Sequence, residues 1–182
     1  SGNGHDGKVL GEPEICPGYI YNGIRFSKPG QGVIVKNTKG LDFTEKDSFT
    51  IEACFNWDGV ISGASWPCVM QKGLDIAKKA FNYVGFWINS SCRRAALGIT
   101  GEGGTKTCNL VAQVNNTAGW HKLVAVQDGK AGTLSLFVDG VPQRQGNAIN
   151  ASSVGMPLTM GFCDDSSVFL GAIDEIKIYN YA

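Results

Sequence analysis

Phe49-Thr50-Ile51-Glu52-Ala53-Cys54-Phe55-Asn56-Trp57 decides the architecture. Phe49, Ile51, Ala53, Phe55 and Trp57 fall on every second position, with Thr50, Glu52, Cys54 and Asn56 between them. A period of two puts each set on its own face of an extended chain, so this is a long strand with one apolar and one mostly polar face. The same pattern returns on either side. Residues 120–127 (WHKLVAVQ) and 133–139 (TLSLFVD) read as two strands, and the turn formers Asp128-Gly129-Lys130-Ala131-Gly132 between them predict a hairpin. Asp139-Gly140 predicts the next tight turn, into 141–145. Shorter strand candidates are 20–26, 32–36, 69–71, 83–88, 95–100, 109–114, 158–161 and 168–179. Only 74–80 (LDIAKKA) offers a turn or two of helix, too short to matter alone. Many short strands with hardly any helix predict an all-β sandwich or barrel.

The chain has 182 residues, 43% of them hydrophobic and 18% charged, which suits one domain, residues 1–182, with a sizeable core. Sixteen Lys+Arg balance sixteen Asp+Glu, which argues against a phosphate-binding surface and hence against nucleic acid. No run approaches the roughly 18 apolar residues of a membrane span. The 25 glycines fit a chain of tight turns. No internal repeat or linker interrupts it. The sequence opens in the turn cluster Ser1-Gly2-Asn3-Gly4-His5-Asp6-Gly7 and stops just after the last strand, so it reads as a module excised from a larger secreted or surface protein.

Cys16, Cys54, Cys68, Cys92, Cys108 and Cys163 make an even count, with no C-x-x-C pair and neither His5 nor His121 near them. Zinc and redox spacing are missing, so disulfides in an oxidising compartment are expected. Fifteen pairings exist; neighbours in sequence suggest Cys54 with Cys68, Cys92 with Cys108, and Cys16 with Cys163. Asn89-Ser90-Ser91, Asn115-Asn116-Thr117 and Asn150-Ala151-Ser152 match the N-glycosylation pattern, which has meaning if a eukaryote secretes the chain.

A set of blocks recurs in order: the opening residues 1–7, Gly23-Ile24-Arg25-Phe26, Phe49-Thr50-Ile51-Glu52-Ala53, Gly119-Trp120-His121-Lys122-Leu123-Val124-Ala125-Val126, Leu136-Phe137-Val138-Asp139-Gly140, and Phe169 to Asn180 (FLGAIDEIKIYN). Their order and spacing resemble the laminin-G-like jelly-roll modules of the concanavalin A-like lectin/glucanase superfamily, over nearly the whole chain. The resemblance implies a two-sheet antiparallel β-sandwich with a concave and a convex sheet. It also implies carbohydrate-binding, lectin-like or adhesion roles, and in many members a structural calcium ion near the chain ends. Cys54 departs from the pattern, since an aromatic commonly stands there; a disulfide would replace its packing.

Glucanases on this fold use a Glu-x-Asp-x-x-Glu pattern, because retaining hydrolysis needs two carboxyls roughly 5–5.5 Å apart. No stretch here has it. Asp174-Glu175 are adjacent and are expected on opposite faces of a strand, and Asp164-Asp165 read as a solvated loop. The resemblance places His121 beside a structural Trp120, in the core or at an edge. No enzyme is expected.

Sugar binding needs aromatic faces for the apolar side of a ring and planar polar groups for the hydroxyls. Tyr83 and Trp87 share one face of their strand, and Trp66 stands beside Pro67 in a rim loop. Glu52, Asn56, Gln71, Arg93 and Arg94 are candidate polar groups for the same groove, while Trp57 and Trp120 read as core. For calcium, Asp174 at the start of the final strand with Asn3 and Asp6 in the opening turn is the candidate set, its weight coming from the resemblance.

The expectation is a non-catalytic carbohydrate-binding module of an extracellular or cell-surface protein, with a glycan or polysaccharide and the neighbouring domains of a parent protein as partners. The alternatives are a protein-binding adhesion domain of laminin-G type and a structural spacer.

Overall fold

The structure is a computed structural model and describes residues 3–36, 38–58, 66–73, 83–89, 93–101, 104–114, 118–153, 155–163 and 168–182. Among these are fourteen strands: β1 (Lys8–Leu10), β2 (Glu14–Pro17), β3 (Asn22–Phe26), β4 (Gly32–Val35), β5 (Phe49–Trp57), β6 (Cys68–Lys72), β7 (Tyr83–Ile88), β8 (Arg94–Gly101), β9 (Lys106–Gln113), β10 (His121–Asp128), β11 (Thr133–Val138), β12 (Val141–Asn147), β13 (Leu158–Met160) and β14 (Gly171–Tyr179). They form two seven-stranded antiparallel sheets. Sheet A has the order β1-β4-β13-β6-β7-β8-β9, and sheet B the order β12-β11-β10-β5-β14-β3-β2. The expected two-sheet sandwich is the observed fold. The possible helix at 74–80 lies outside the described residues.

β5 runs through the middle of sheet B, between β10 (Phe55 opposite His121) and β14 (Phe55 opposite Ile173). Its alternation works as the sequence requires. Phe49, Ile51, Ala53 and Phe55 are at most 1% exposed and meet Met70, Val84, Phe86, Ile88, Leu97 and Ile99 of sheet A. Trp57 is only half-buried, packed against the rim of that core. Trp120 is half-buried too, with Tyr19 edge-on at 6.3 Å.

Both predicted turns form. Asp128 closes the β10–β11 hairpin by accepting the N–H groups of Lys130 and Ala131, each at 2.9 Å. Asp139 and Gly140 adopt φ values of 52° and 78°, the left-handed pair that matches the twist of a two-residue hairpin. The Asp139 carboxylate reaches across the sheet to the Lys122 N–H and to His121 Nδ1, both at 2.8 Å. His121 is therefore a buried structural histidine, its ring tilted against Phe55 at 5.5 Å.

Two strands escaped the sequence reading. β1 and β2 have three and four residues, too few for alternation to show, and Pro17 ends β2 at the sheet edge, where a missing N–H breaks no ladder. The expected pairs Cys54–Cys68 and Cys16–Cys163 are not formed, because no two of the described cysteines are joined. Cys54 faces outward from the centre of sheet B and Cys68 belongs to sheet A, so the whole sandwich separates them. The pair Cys92–Cys108 depends on Cys92, outside the described residues.

Candidate functional site

β7 alternates strictly. Val84, Phe86 and Ile88 enter the core, which turns Tyr83, Gly85 and Trp87 to the outer face of sheet A. Tyr83 and Trp87 are half-buried and meet at 5.6 Å and 77°, a corner of two rings. Gly85 pairs with Gly98 of β8, and the floor beneath the rings is these two glycines. A Cβ on Gly85 would stand 2.8 Å from the Trp87 ring, and one on Gly98 would stand 2.9 Å from it and 3.5 Å from Tyr83. Glycine in a strand interior here permits close approach of aromatic rings to the backbone.

The surrounding positions are fixed by register. Gln71 lies opposite Gly85, Asn109 opposite Gly98 and Thr107 opposite Thr100, with the two threonine hydroxyls 3.2 Å apart. Arg94 and Ala96 follow the outward parity of Gly98. Asn89 Oδ1 accepts the backbone N–H groups of Arg93 (2.9 Å) and Arg94 (2.8 Å), which fixes the start of β8 beside the end of β7. Half-buried Trp66 reaches that same end, because the neighbouring Pro67 carbonyl accepts the Ile88 N–H at 3.0 Å.

The structure thus brings Gln71, Tyr83, Trp87 and Arg94 onto one face, with Trp66 at its end. Glu52 and Asn56 do not share it. They project from the outer side of β5 on sheet B, where Glu52 pairs with Lys122 at 2.9 Å and holds that ammonium's pKa up. Alternation correctly gave them a polar face; it does not say which sheet a strand joins. Gly85, Gly98, Asn109 and the two threonines were missed. The legible signal was the run Tyr83-x-Gly85-x-Trp87, glycine between aromatics on one strand face.

Of the candidate calcium residues, Asp174 belongs to β14 of sheet B, whereas Asn3 and Asp6 precede β1 of sheet A. Asp174 gives one oxygen to the Ile20 N–H (2.9 Å) and the other to the Glu175 N–H (2.8 Å). Asn3 lines a separate cavity with Leu41, Tyr179 and Tyr181, and Asp6 lies beside the start of β1 in the other sheet. Six to eight converging oxygens are what a hard cation requires, and among the described residues no cluster of three or more His, Cys, Asp or Glu exists. A β-bulge between Asp174 and Lys177, with Glu175 at φ 52°, also breaks the regular alternation that would send Asp174 and Glu175 to opposite faces. Both line one cavity, together with Asn22. Asp164 and Asp165 lie outside the described residues.

The family model Laminin G 3, described as the concanavalin A-like lectin/glucanases superfamily, matches residues 28–182. No curated protein matches the sequence. Solved structures share the fold at low identity. The binding domain of Paraclostridial Mosquitocidal Protein 1 has a TM-score of 0.75 and 13% identity; the alignment covers 100% of this chain and 45% of that one, so this chain spans under half of the toxin's binding domain. Domain 4 of AbnA, an extracellular arabinanase from Geobacillus stearothermophilus solved with arabinotriose, has a TM-score of 0.73 and 14% identity over 99% of this chain and 84% of that one. The carbohydrate-binding module (CBM40) of the Ruminococcus gnavus IT-sialidase has a TM-score of 0.69 and 13% identity over 87% and 89%. These three are binding domains, and the chain itself belongs to the concanavalin A-like lectin/glucanases superfamily.

Proposed function

We propose that this domain is a non-catalytic glycan-binding module of an extracellular or cell-surface protein, and that sugar docks on the outer face of sheet A against Trp87 and Tyr83. The observation that carries the reading is the aromatic corner held over the Gly85–Gly98 floor. A surface ring pair with no core to fill is a stacking surface for the C–H face of a sugar. Because both rings converge on one glycine pair, the proposed occupant is a single sugar ring. Exposed Thr107 and Asn109 offer a hydroxyl and an amide beside it, while Gln71 and Thr100 are buried beneath the face. The arabinanase domain solved with arabinotriose and the sialidase module lend support at the level of the fold. Among the described residues, the strands of sheet A carry no Asp or Glu that could supply the carboxyl pair of a glycosidase.

A glycan array tests the proposal, with Trp87→Ala as control. The wild type should bind at least one glycan class. The variant should lose at least about tenfold in affinity, roughly 1.4 kcal/mol, while its melting temperature stays within a few degrees. A blank array, or a variant that binds like the wild type, rejects this face.

One feature favours the protein-binding alternative. Ile15, Tyr19, Ile20 and Tyr21 are exposed together around the β2–β3 turn, Tyr21 at 93%. The turn is held by the Tyr21 carbonyl accepting the Gly18 N–H at 2.9 Å and by the Ile20 N–H on Asp174. If this tip is the docking element, Tyr21→Ser abolishes capture of a matrix protein and Trp87→Ala does not.

A further inference from the structure

The two sheets differ in charge in a way the neutral composition hides. The seven strands of sheet A contain Lys8, Lys72, Arg94 and Lys106 and not one Asp or Glu, whereas those of sheet B balance Arg25, Lys122, Arg144 and Lys177 against Glu14, Glu52, Asp128, Asp174 and Glu175. Lys72 points inward and is neutralised by Asp42 at 2.6 Å. Arg94 is different. Its side chain is exposed on the same outward parity as the aromatic corner, and it has no ion-pair partner among the described residues. Arg25, Lys72, Lys122 and Lys177, by contrast, all sit on carboxylates.

Register places this guanidinium beside the stacking surface. Trp87 pairs with Ala96, and Arg94 is two residues along β8 on the same face, the diagonal neighbour of Trp87. Diagonal positions on a sheet face lie roughly 7–8 Å apart, within reach of long side chains. Asn89, bonded to the Arg94 N–H, fixes the backbone from which the side chain projects. Among the described residues, no strand of sheet A carries a carboxylate to compete for that charge or to repel an anion approaching the rings.

We propose that the face selects an acidic sugar residue: the ring stacks on Trp87 and its carboxylate takes the Arg94 guanidinium. This rests on the glycan-binding face proposed above and adds the charge of the ligand. A planar guanidinium matches a carboxylate through two parallel N–H···O bonds, which a neutral hydroxymethyl group at the same carbon cannot accept in the same way.

The test is titration calorimetry of the intact domain with matched pairs that differ only in charge. The pairs are methyl glucuronide and methyl glucoside, methyl galacturonide and methyl galactoside, and the methyl glycoside of N-acetylneuraminic acid and its methyl ester; 6-sulfated methyl glucoside tests a sulfate as the anion. The acid of at least one pair should bind about tenfold more tightly than its neutral partner, and raising the salt from about 0.05 to 0.5 M should erase most of that margin by screening. Arg94→Gln should weaken the acid far more than its neutral partner, closing the margin between them; Arg94→Lys should restore part of it. A gain on the sulfated glucoside supports the anion site with sulfate as a second ligand. Equal binding of acid and neutral partners through Trp87, or an Arg94→Gln variant that weakens both alike, overturns the acidic selectivity and leaves the face standing. No binding by any probe or array glycan, with Trp87→Ala silent, overturns the face and this inference with it.

Discussion

At Gly98 the three nearest neighbours of a single added carbon would be side-chain atoms: the Trp87 ring at 2.9 Å, Asn109 at 3.3 Å and Tyr83 at 3.5 Å. At Gly85 the same carbon would meet the Met70 carbonyl and the Gln71 Cβ, both at 2.7 Å. Gly98→Ala should therefore lift the Trp87 ring and weaken glycan binding several-fold while stability changes by less than about 1 kcal/mol, whereas Gly85→Ala should unfold the domain more readily; binding titrations beside thermal melts separate the two. Cys54 is the other informative residue. Fully buried, its thiol is pushed up to about 12 by burial, with Lys122 pulling the other way and Asp174, Glu175 and Glu52 adding to the rise. A folded pKa above the unfolded one favours the protonated thiol in the native state. Its contribution is therefore fully present below the ordinary value of 9.0 and is lost as pH rises toward 12. Urea midpoints from pH 8 to 11 should fall more steeply for the wild type than for Cys54→Ala, and iodoacetamide should reach Cys54 only after unfolding. Labelling of Cys54 in the native protein at pH 8 contradicts this placement.

Strand identity was largely readable because long strands with one buried face advertise themselves. β5, β7 and the β10–β11 hairpin appear where their period of two and their turn residues predict. What the period cannot show is partnership. Nothing local to Glu52 or Asn56 says that β5 joins β10 and β14 rather than β6, so the shared groove was drawn across two sheets, and the Cys54–Cys68 bridge failed for the same reason. The bulge in β14 was equally hidden, since it depends on Asp174 turning back to cap the Glu175 N–H while reaching the Ile20 N–H in another element. That carboxylate ties the β2–β3 turn to the final strand. Asp174→Ala should cost about 1 kcal/mol, the net worth of a hydrogen bond whose freed Ile20 donor can turn to water, and loosen the Tyr19–Ile20–Tyr21 tip, visible as faster amide exchange there. If added calcium instead raises the wild-type melting temperature by several degrees and Asp174→Asn cancels that rise, a cation and not the turn is its principal partner.

Across the molecule, the part of the site that sequence revealed was the part made by one strand: Tyr83 and Trp87 four residues apart. Gln71, Asn109 and Arg94 join them only through the β6-β7-β8-β9 order, a product of long-range pairing. That same order has a consequence for how the domain meets its ligand. With sixteen charges of each sign the domain has no net pull on a distant polyanion, yet its acidic strand residues all belong to one sheet. Counted over the strands alone, sheet A carries four basic and no acidic residues and sheet B four basic and five acidic, and near an acidic surface that difference acts as a torque before it acts as an attraction. Encounters would begin by rotating sheet A toward the surface and sheet B away, so that at low salt collisions arrive already oriented. A module of this kind needs no excess positive charge, with its attendant stickiness toward nucleic acid and membrane, to find an acidic coat face-first.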